Sequence, residues 1–215
     1  MANNFNCPAC GTTYSFKISK PLVICCPGCG KTYTIHQNSS ITDTGHVFKM
    51  PEEISLIRLG VKGTYSGLAF EIVGRIKSVT TYTSSNKWLM WFEGSGSYSW
   101  LAENNLTYFV YEPEESPINS SVIKSKKAGG TVEMAGNFYQ LTEIAKQLEF
   151  YMQGELPEAT LNTEHYYKIE LSKMDVTQFA TICIYEKNDA DIAYGKLVSI
   201  KELGLSNINE YKDWL

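Results

Sequence analysis

The eight-residue motif C-P-x-C-G-x-T-Y occurs twice near the start of the chain, as Cys7–Tyr14 and again as Cys26–Tyr33, 19 residues apart. Two cysteines separated by two residues can aim both sulfurs at one ion. The glycine after the second cysteine lets the backbone turn so that amides face the sulfurs. Two such knuckles supply four soft ligands, Cys7, Cys10, Cys26 and Cys29, and a tetrahedral four-sulfur set favours zinc. Fifteen residues separate Cys10 from Cys26, a spacing compatible with a zinc ribbon. An iron site of rubredoxin type would use the same four sulfurs. Disulfides would need an oxidising compartment, to which nothing in the sequence directs the chain. A closed four-cysteine site has no position for water, so the expected role of the zinc is structural.

The other cysteines read differently. Cys25 could in principle replace Cys26, but the motif register places Cys26 where the first copy has Cys7, which leaves Cys25 as a strand residue. Cys183 sits in the apolar run 180–185 and reads as a buried small side chain. His36 is read as a surface residue, since four cysteines already fill the site.

Charge divides the chain. Residues 1–36 contain Lys17, Lys20 and Lys31 and no acid, a charge of +3, whereas the whole chain carries −4, leaving −7 for the remainder. This predicts two units: a zinc ribbon over 1–36 and a β-rich domain over 53–215. Residues 37–52 read as a polar connector with little structure of its own. Within the ribbon, Tyr14–Ile18 and Leu22–Ile24 predict a short hairpin. With 43% hydrophobic and 20% charged residues the chain is ordinary for a folded soluble protein. No apolar run approaches the roughly 20 residues that span a bilayer, and the first residues lack a secretory pattern, so a cytoplasmic location is expected.

Tyrosine, threonine, valine and glycine are frequent after residue 53, and turn signals recur at short intervals. The expected architecture is mostly β with little helix: a small ribbon followed by a two-lobed antiparallel β domain, with barrel- or sandwich-like halves over 53–112 and 130–215. Residues 57–59 and 68–76 read as strands. Trp88–Glu93 and Tyr98–Ala102 read as a hairpin around Gly94–Gly96, and residues 106–112 as a further strand. Residues 113–130 form a candidate loop, Asn188-Asp189 a turn, and Leu205–Leu215 a short helix capped by Ser206. Residues 141–153 fit a helical stripe at Leu141, Ile144, Ala145 and Leu148, yet Leu148, Phe150 and Met152 also alternate as a strand does.

Several segments together resemble the domain of unknown function 4178 family. They are IRLGVKGTYSGLAFEIVGRI at 57–76, Trp88 and Trp91 followed by Trp100-Leu101-Ala102-Glu103, Tyr139–Glu143, and Gly154-Glu155-Leu156-Pro157. A leading zinc ribbon also occurs in such proteins. The resemblance implies that residues 141–153 are a strand pair. It carries no established activity; bacterial gene neighbourhoods with membrane-stress and polyamine-related proteins imply accessory work. This chain departs from the pattern at Met90, where the family often has an acid.

No nucleophile elbow, phosphate-binding loop or H-E-x-x-H motif is present, which weighs against an enzyme. His36 and His46 lie in or beside the connector, and His165 reads as a strand-start residue. Glu155 is a candidate site acid, although a solvated carboxylate in a turn explains it more simply. Trp88 and Trp91 are an odd number apart and must face opposite sides of a strand. Either one is exposed and, with Trp100 and Glu155, marks a binding surface, or both faces are covered. The reading is therefore a non-enzymatic module with a protein partner. One alternative is nucleic-acid binding through Lys17, Lys20, Lys31, Tyr14 and Tyr33. Another is a small-molecule or catalytic cleft between the halves, near 154–157.

Overall fold

The structure, a computed structural model, describes residues 3–114, 127–158, 166–174, 176, 178–185 and 190–210. The expected turn at Asn188-Asp189, His165 and most of the loop 113–130 lie outside the described residues.

β1 (Asn3–Asn6) and β2 (Thr13–Phe16) form a two-stranded sheet. β3 (Leu22–Cys25), β4 (Lys31–Ile35) and β5 (Ile41–Val47) follow. The first half of the body holds β6 (Lys62–Tyr65), β7 (Leu68–Thr80), β8 (Ser84–Phe92), β9 (Tyr98–Asn104) and β10 (Thr107–Glu114). The second half holds β11 (Thr131–Met134), β12 (Asn137–Pro157), β13 (Tyr166–Lys173), β14 (Gln178–Tyr185) and β15 (Ala190–Val198), followed by α1 (Ile200–Leu203).

The mostly β architecture with little helix is the one expected, and its halves meet closely. Each gives four strands to one closed eight-stranded barrel, in the order β7-β8-β9-β10-β15-β14-β13-β12 and back to β7. The two first strands pair antiparallel, as do the two last. Each half begins with a short hairpin whose turn has two consecutive positive φ angles: Ser66 (50°) and Gly67 (78°), then Ala135 (48°) and Gly136 (70°). That pair of angles is the type I′ geometry that matches the twist of flanking strands.

Alternation along the strands separates two kinds of packing. Lys168 on β13 donates to Ser85 on β8, Ser78 on β7 bonds with Tyr166 on β13, and Thr181 on β14 donates to Tyr111 on β10. Bonds that skip over intervening strands form on the concave side, so part of the barrel lumen is polar, while Ile76, Met152 and Trp100 meet in an apolar cluster. The opposite faces carry apolar clusters. One packs Trp88, Met90, Leu101 and Val110 beneath Ile57, Val61 and Leu203. The other gathers Leu141, Leu171, Ile182 and Ile192 with Val132 and Met134.

Ribbon and barrel share a sheet. β12 runs past β7 and then pairs with β3, Glu155 opposite Ile24. At the crossing, a Cβ on Gly74 would lie 2.0 Å from the Glu155 carbonyl oxygen, and one on Gly154 would lie 2.4 Å from that of Val73. Only glycine lets the two strands approach so closely.

Five local expectations are corrected. The connector contains β5, which pairs with β4. β2 and β3 do not form a hairpin: β3 is buried on both faces and flanked by β4 and β12, leaving β2 to pair with β1. Residues 141–153 are part of one 21-residue strand, and register shifts at Leu141/Glu143 and Gln147/Glu149 are what blurred its period. Helix α1 precedes the expected one, whose residues 205–210 are not helical and whose residues 211–215 lie outside the described residues. Ser199 and Glu202 form its capping box, Gly204 at φ +52° ends it, and Ser206 bridges back to Lys62. Residues 57–59 are not a strand either; they belong to an irregular strap, 48–61, that crosses β7 and β8 with Ile57 buried. Among the described residues, no helix is long and apolar enough to cross a membrane.

Candidate metal centre

The sequence repeat is a structural repeat. In the first knuckle the Cys7 amide donates to the Thr12 carbonyl and the Gly11 amide to the Cys7 carbonyl, both at 2.9 Å. In the second, Cys26 donates to Lys31 at 2.8 Å and Gly30 to Cys26 at 2.9 Å. Gly11 and Gly30 take nearly equal positive φ angles, 74° and 72°. The motif glycine is therefore what closes each turn.

The four sulfurs of Cys7, Cys10, Cys26 and Cys29 lie within 4.8 Å of one another. Cys7 and Cys29 are 3.7 Å apart, as are Cys10 and Cys26. Metal–sulfur bonds of about 2.3 Å in a tetrahedron give sulfur separations of about 3.8 Å. The donor set and its spacing therefore fit one metal ion.

Neighbouring groups favour thiolates unevenly. The Thr12 hydroxyl, 3.2 Å from Cys10 Sγ, and then the Thr12 amide hold Cys10 down to about 6. At Cys29 the Lys31 amide acts in the same direction, but burial and the other three sulfurs push the thiol up to about 12. That opposition is what crowded sulfurs produce, and a cation among them relieves it. The Tyr33 hydroxyl lies 3.9 Å from Cys7 Sγ; burial and then that sulfur push it up to about 12, so it keeps its proton. Cys25 stands apart: its thiol donates to the Gly30 carbonyl at 3.4 Å, and burial pushes it up to about 11. His36 bonds with Thr42 through Nε2 at 2.9 Å. Cys183 is buried on β14 opposite Lys168, and burial raises its thiol.

The centre is tied into the barrel. Cys7 and Cys26 belong to an apolar cluster with Phe5, Phe16, Ile18, Leu22 and Ile24 that extends to Val73 and Leu89 of the barrel. Trp91 and Trp100 pack against it. Glu155 completes the junction. It is neither in a turn nor solvated: it is 1% exposed, its Oε2 accepts the amides of Lys17 at 2.6 Å and Ile18 at 2.8 Å, and its Oε1 accepts the Tyr14 hydroxyl at 3.3 Å. The β3 pairing carries it inward, which sequence spacing did not reveal.

The remaining candidates are dispersed by their partners. Lys17 Nζ lies 2.5 Å from Glu71 and over the Trp91 ring. Lys20 donates to Ser39 at 2.7 Å, and Lys31 Nζ is 3.5 Å from Asp43. Tyr14 is held by Glu155, and Tyr33 is buried. Trp88 and Trp91 do face opposite sides, and both faces are covered: Trp91 by the ribbon, Trp88 by the strap. Met90 is fully buried beside Trp88.

Sequence reasoning missed a second polar cluster. Glu103 accepts from Trp88 Nε1 at 2.9 Å, Asn86 at 3.1 Å, Ser55 at 2.8 Å and Tyr108 at 3.2 Å. Arg75 and Lys77 both pair with Glu53. The available signal was two cations two residues apart inside an apolar strand, which places both on one face.

No protein-family profile, curated protein or solved structure matches the chain.

Proposed function

We propose that the chain is a non-enzymatic interaction module braced by one structural zinc ion on Cys7, Cys10, Cys26 and Cys29. The observation that carries this reading is the convergence of four sulfurs inside a cluster shared with barrel strands β7 and β8. Four thiolates complete the coordination of zinc and leave no site for substrate, so the metal contributes rigidity rather than chemistry. Reduced thiols suit a cytoplasmic setting. The resemblance to the domain of unknown function 4178 family supports accessory work. No specific observation favours nucleic acid, because Lys17 and Lys31 are engaged by Glu71 and Asp43.

Metal analysis and cobalt substitution test the proposal. Freshly purified protein should hold about one equivalent of zinc. The cobalt form should show a tetrahedral sulfur-ligand spectrum that added imidazole or azide leaves unchanged. Less than half an equivalent of metal defeats the site, an equivalent of iron defeats the choice of zinc, and a spectrum that responds to added ligand defeats the structural role.

A further inference from the structure

The strap 48–61 has no regular secondary structure, yet it delivers one acid to a fixed place on the barrel wall. Glu53 meets three donors there: Arg75 and Lys77 as ion pairs, and Asn86 Nδ2 donating to Oε1 at 2.8 Å. The donors are built into β7 and β8. Arg75 and Lys77 are each 7% exposed and Asn86 is 6% exposed. Arg75 also donates to Asn86 Oδ1 and lies 4.5 Å from the centre of the Trp88 ring. The other acid, Glu103, accepts from Ser55, Trp88 and Tyr108 and shares the Asn86 amide with Glu53. Beside the clasp is a cavity of about 400 Å³, lined in part by Glu53, Arg58, Arg75, Trp88, Gln153 and Asn209.

We propose that this cavity is a binding site for a small molecule bearing a carboxylate, and that Glu53 is the internal group such a molecule displaces. A guanidinium, an ammonium and an amide converging on one carboxylate form a recognition set for that group, since charge-assisted bonds to a planar oxyanion are the strong ones. The protein demonstrates the fit with its own side chain. The donors sit on paired strands, whereas the acid lies on chain without regular secondary structure, two residues before the strap becomes buried at Ser55. The volume lies within the usual range for ligand pockets, roughly 300–1,000 Å³. Trp88 also lines the cavity, with the Arg75 guanidinium stacked on its ring.

The test is chemical rescue. Glu53→Ala removes the internal carboxylate and should lower the melting temperature. Acetate should then raise the melting temperature of Glu53→Ala by several degrees, with chloride at equal ionic strength ineffective and the unsubstituted protein little affected. Adding Lys77→Gln should weaken the rescue. If Glu53→Ala does not fold, Glu53→Gln is compared with the unsubstituted protein by following the Trp88 indole N–H signal during a succinate titration. Both should shift that signal, the variant at lower concentration. Equal effects of acetate and chloride, or an indole signal unmoved by succinate in both proteins, would overturn the proposal. Rescue by inorganic phosphate in place of acetate would overturn the carboxylate assignment.

Discussion

Glu155 Oε2 accepts the Ile18 amide at 2.8 Å, joining the end of the longest barrel strand to a bend in the ribbon 137 residues earlier. The Lys17 amide and Tyr14 hydroxyl meet the same carboxylate. Glu155→Ala strands these donors in a buried site, where each unpaired group costs about 1–3 kcal/mol. The expected loss is about 3 kcal/mol in urea unfolding. Glu155→Gln, whose amide oxygen still accepts, should lose roughly half as much. Equal stability of Glu155→Ala and the parent protein would mean the carboxylate does not join the two parts.

The same residue sets a pH dependence. Burial holds the Glu155 carboxyl above its ordinary value, opposed by the Ile18 and Lys17 amides and the Tyr14 hydroxyl. An acid whose folded pKa is raised takes up its proton in the folded state first. Its contribution to stability therefore grows as pH falls through the folded value towards the unfolded one, about 4.3. Denaturation midpoints measured from pH 7 to pH 5 should include this gain in the parent protein, and Glu155→Gln should lack it. Parallel profiles for the two proteins would remove Glu155 as the source.

The four-cysteine cluster was legible because its information is local. Spacing and a repeated glycine specify each knuckle, and Gly11 and Gly30 adopt the positive φ that the motif requires. The placement of Glu155 was not legible, because it depends on residues 154–157 pairing with residues 22–25. The same pairing brings Glu155 to the Tyr14 hydroxyl, and Tyr33 packs inward against Phe5, though their composition suggested a basic, aromatic surface. In β12 the failure was of another kind: two bulges shift the alternation, so neither period 2 nor period 3.6 fits the whole strand. Arg75 and Lys77 look like surface charges until the strap carries Glu53 to them.

Metal removal should be felt beyond the ribbon. Cys7 and Cys26 pack in one cluster with Val73 and Leu89, and β3 extends the sheet of β12. Cys7→Ser, or chelation of the parent protein, should move the main calorimetric transition to lower temperature. The order of magnitude is several kcal/mol, since structural zinc contributes on the order of 10 kcal/mol to the folding of small metal units. An early, separate transition with the barrel transition unshifted would show that ribbon and barrel are energetically independent.

A pair of glycines isolates the strand crossing from ordinary backbone strain. Gly154 has φ +76°, and its Cβ would lie 2.4 Å from the Val73 carbonyl oxygen; Gly67 has φ +78° with no atom within 4 Å of the corresponding position. Both substitutions to alanine incur the left-handed penalty of roughly 1–2 kcal/mol. Only Gly154→Ala must also push β12 away from β7, breaking the approach that lets β12 continue into the ribbon sheet. Gly67→Ala should therefore cost about 1 kcal/mol and leave the metal content unchanged. Gly154→Ala should cost more than about 3 kcal/mol and lower metal retention under chelator challenge. Equal losses for the two variants, read by urea unfolding and zinc release, would show that the close contact is not what couples barrel closure to the metal centre.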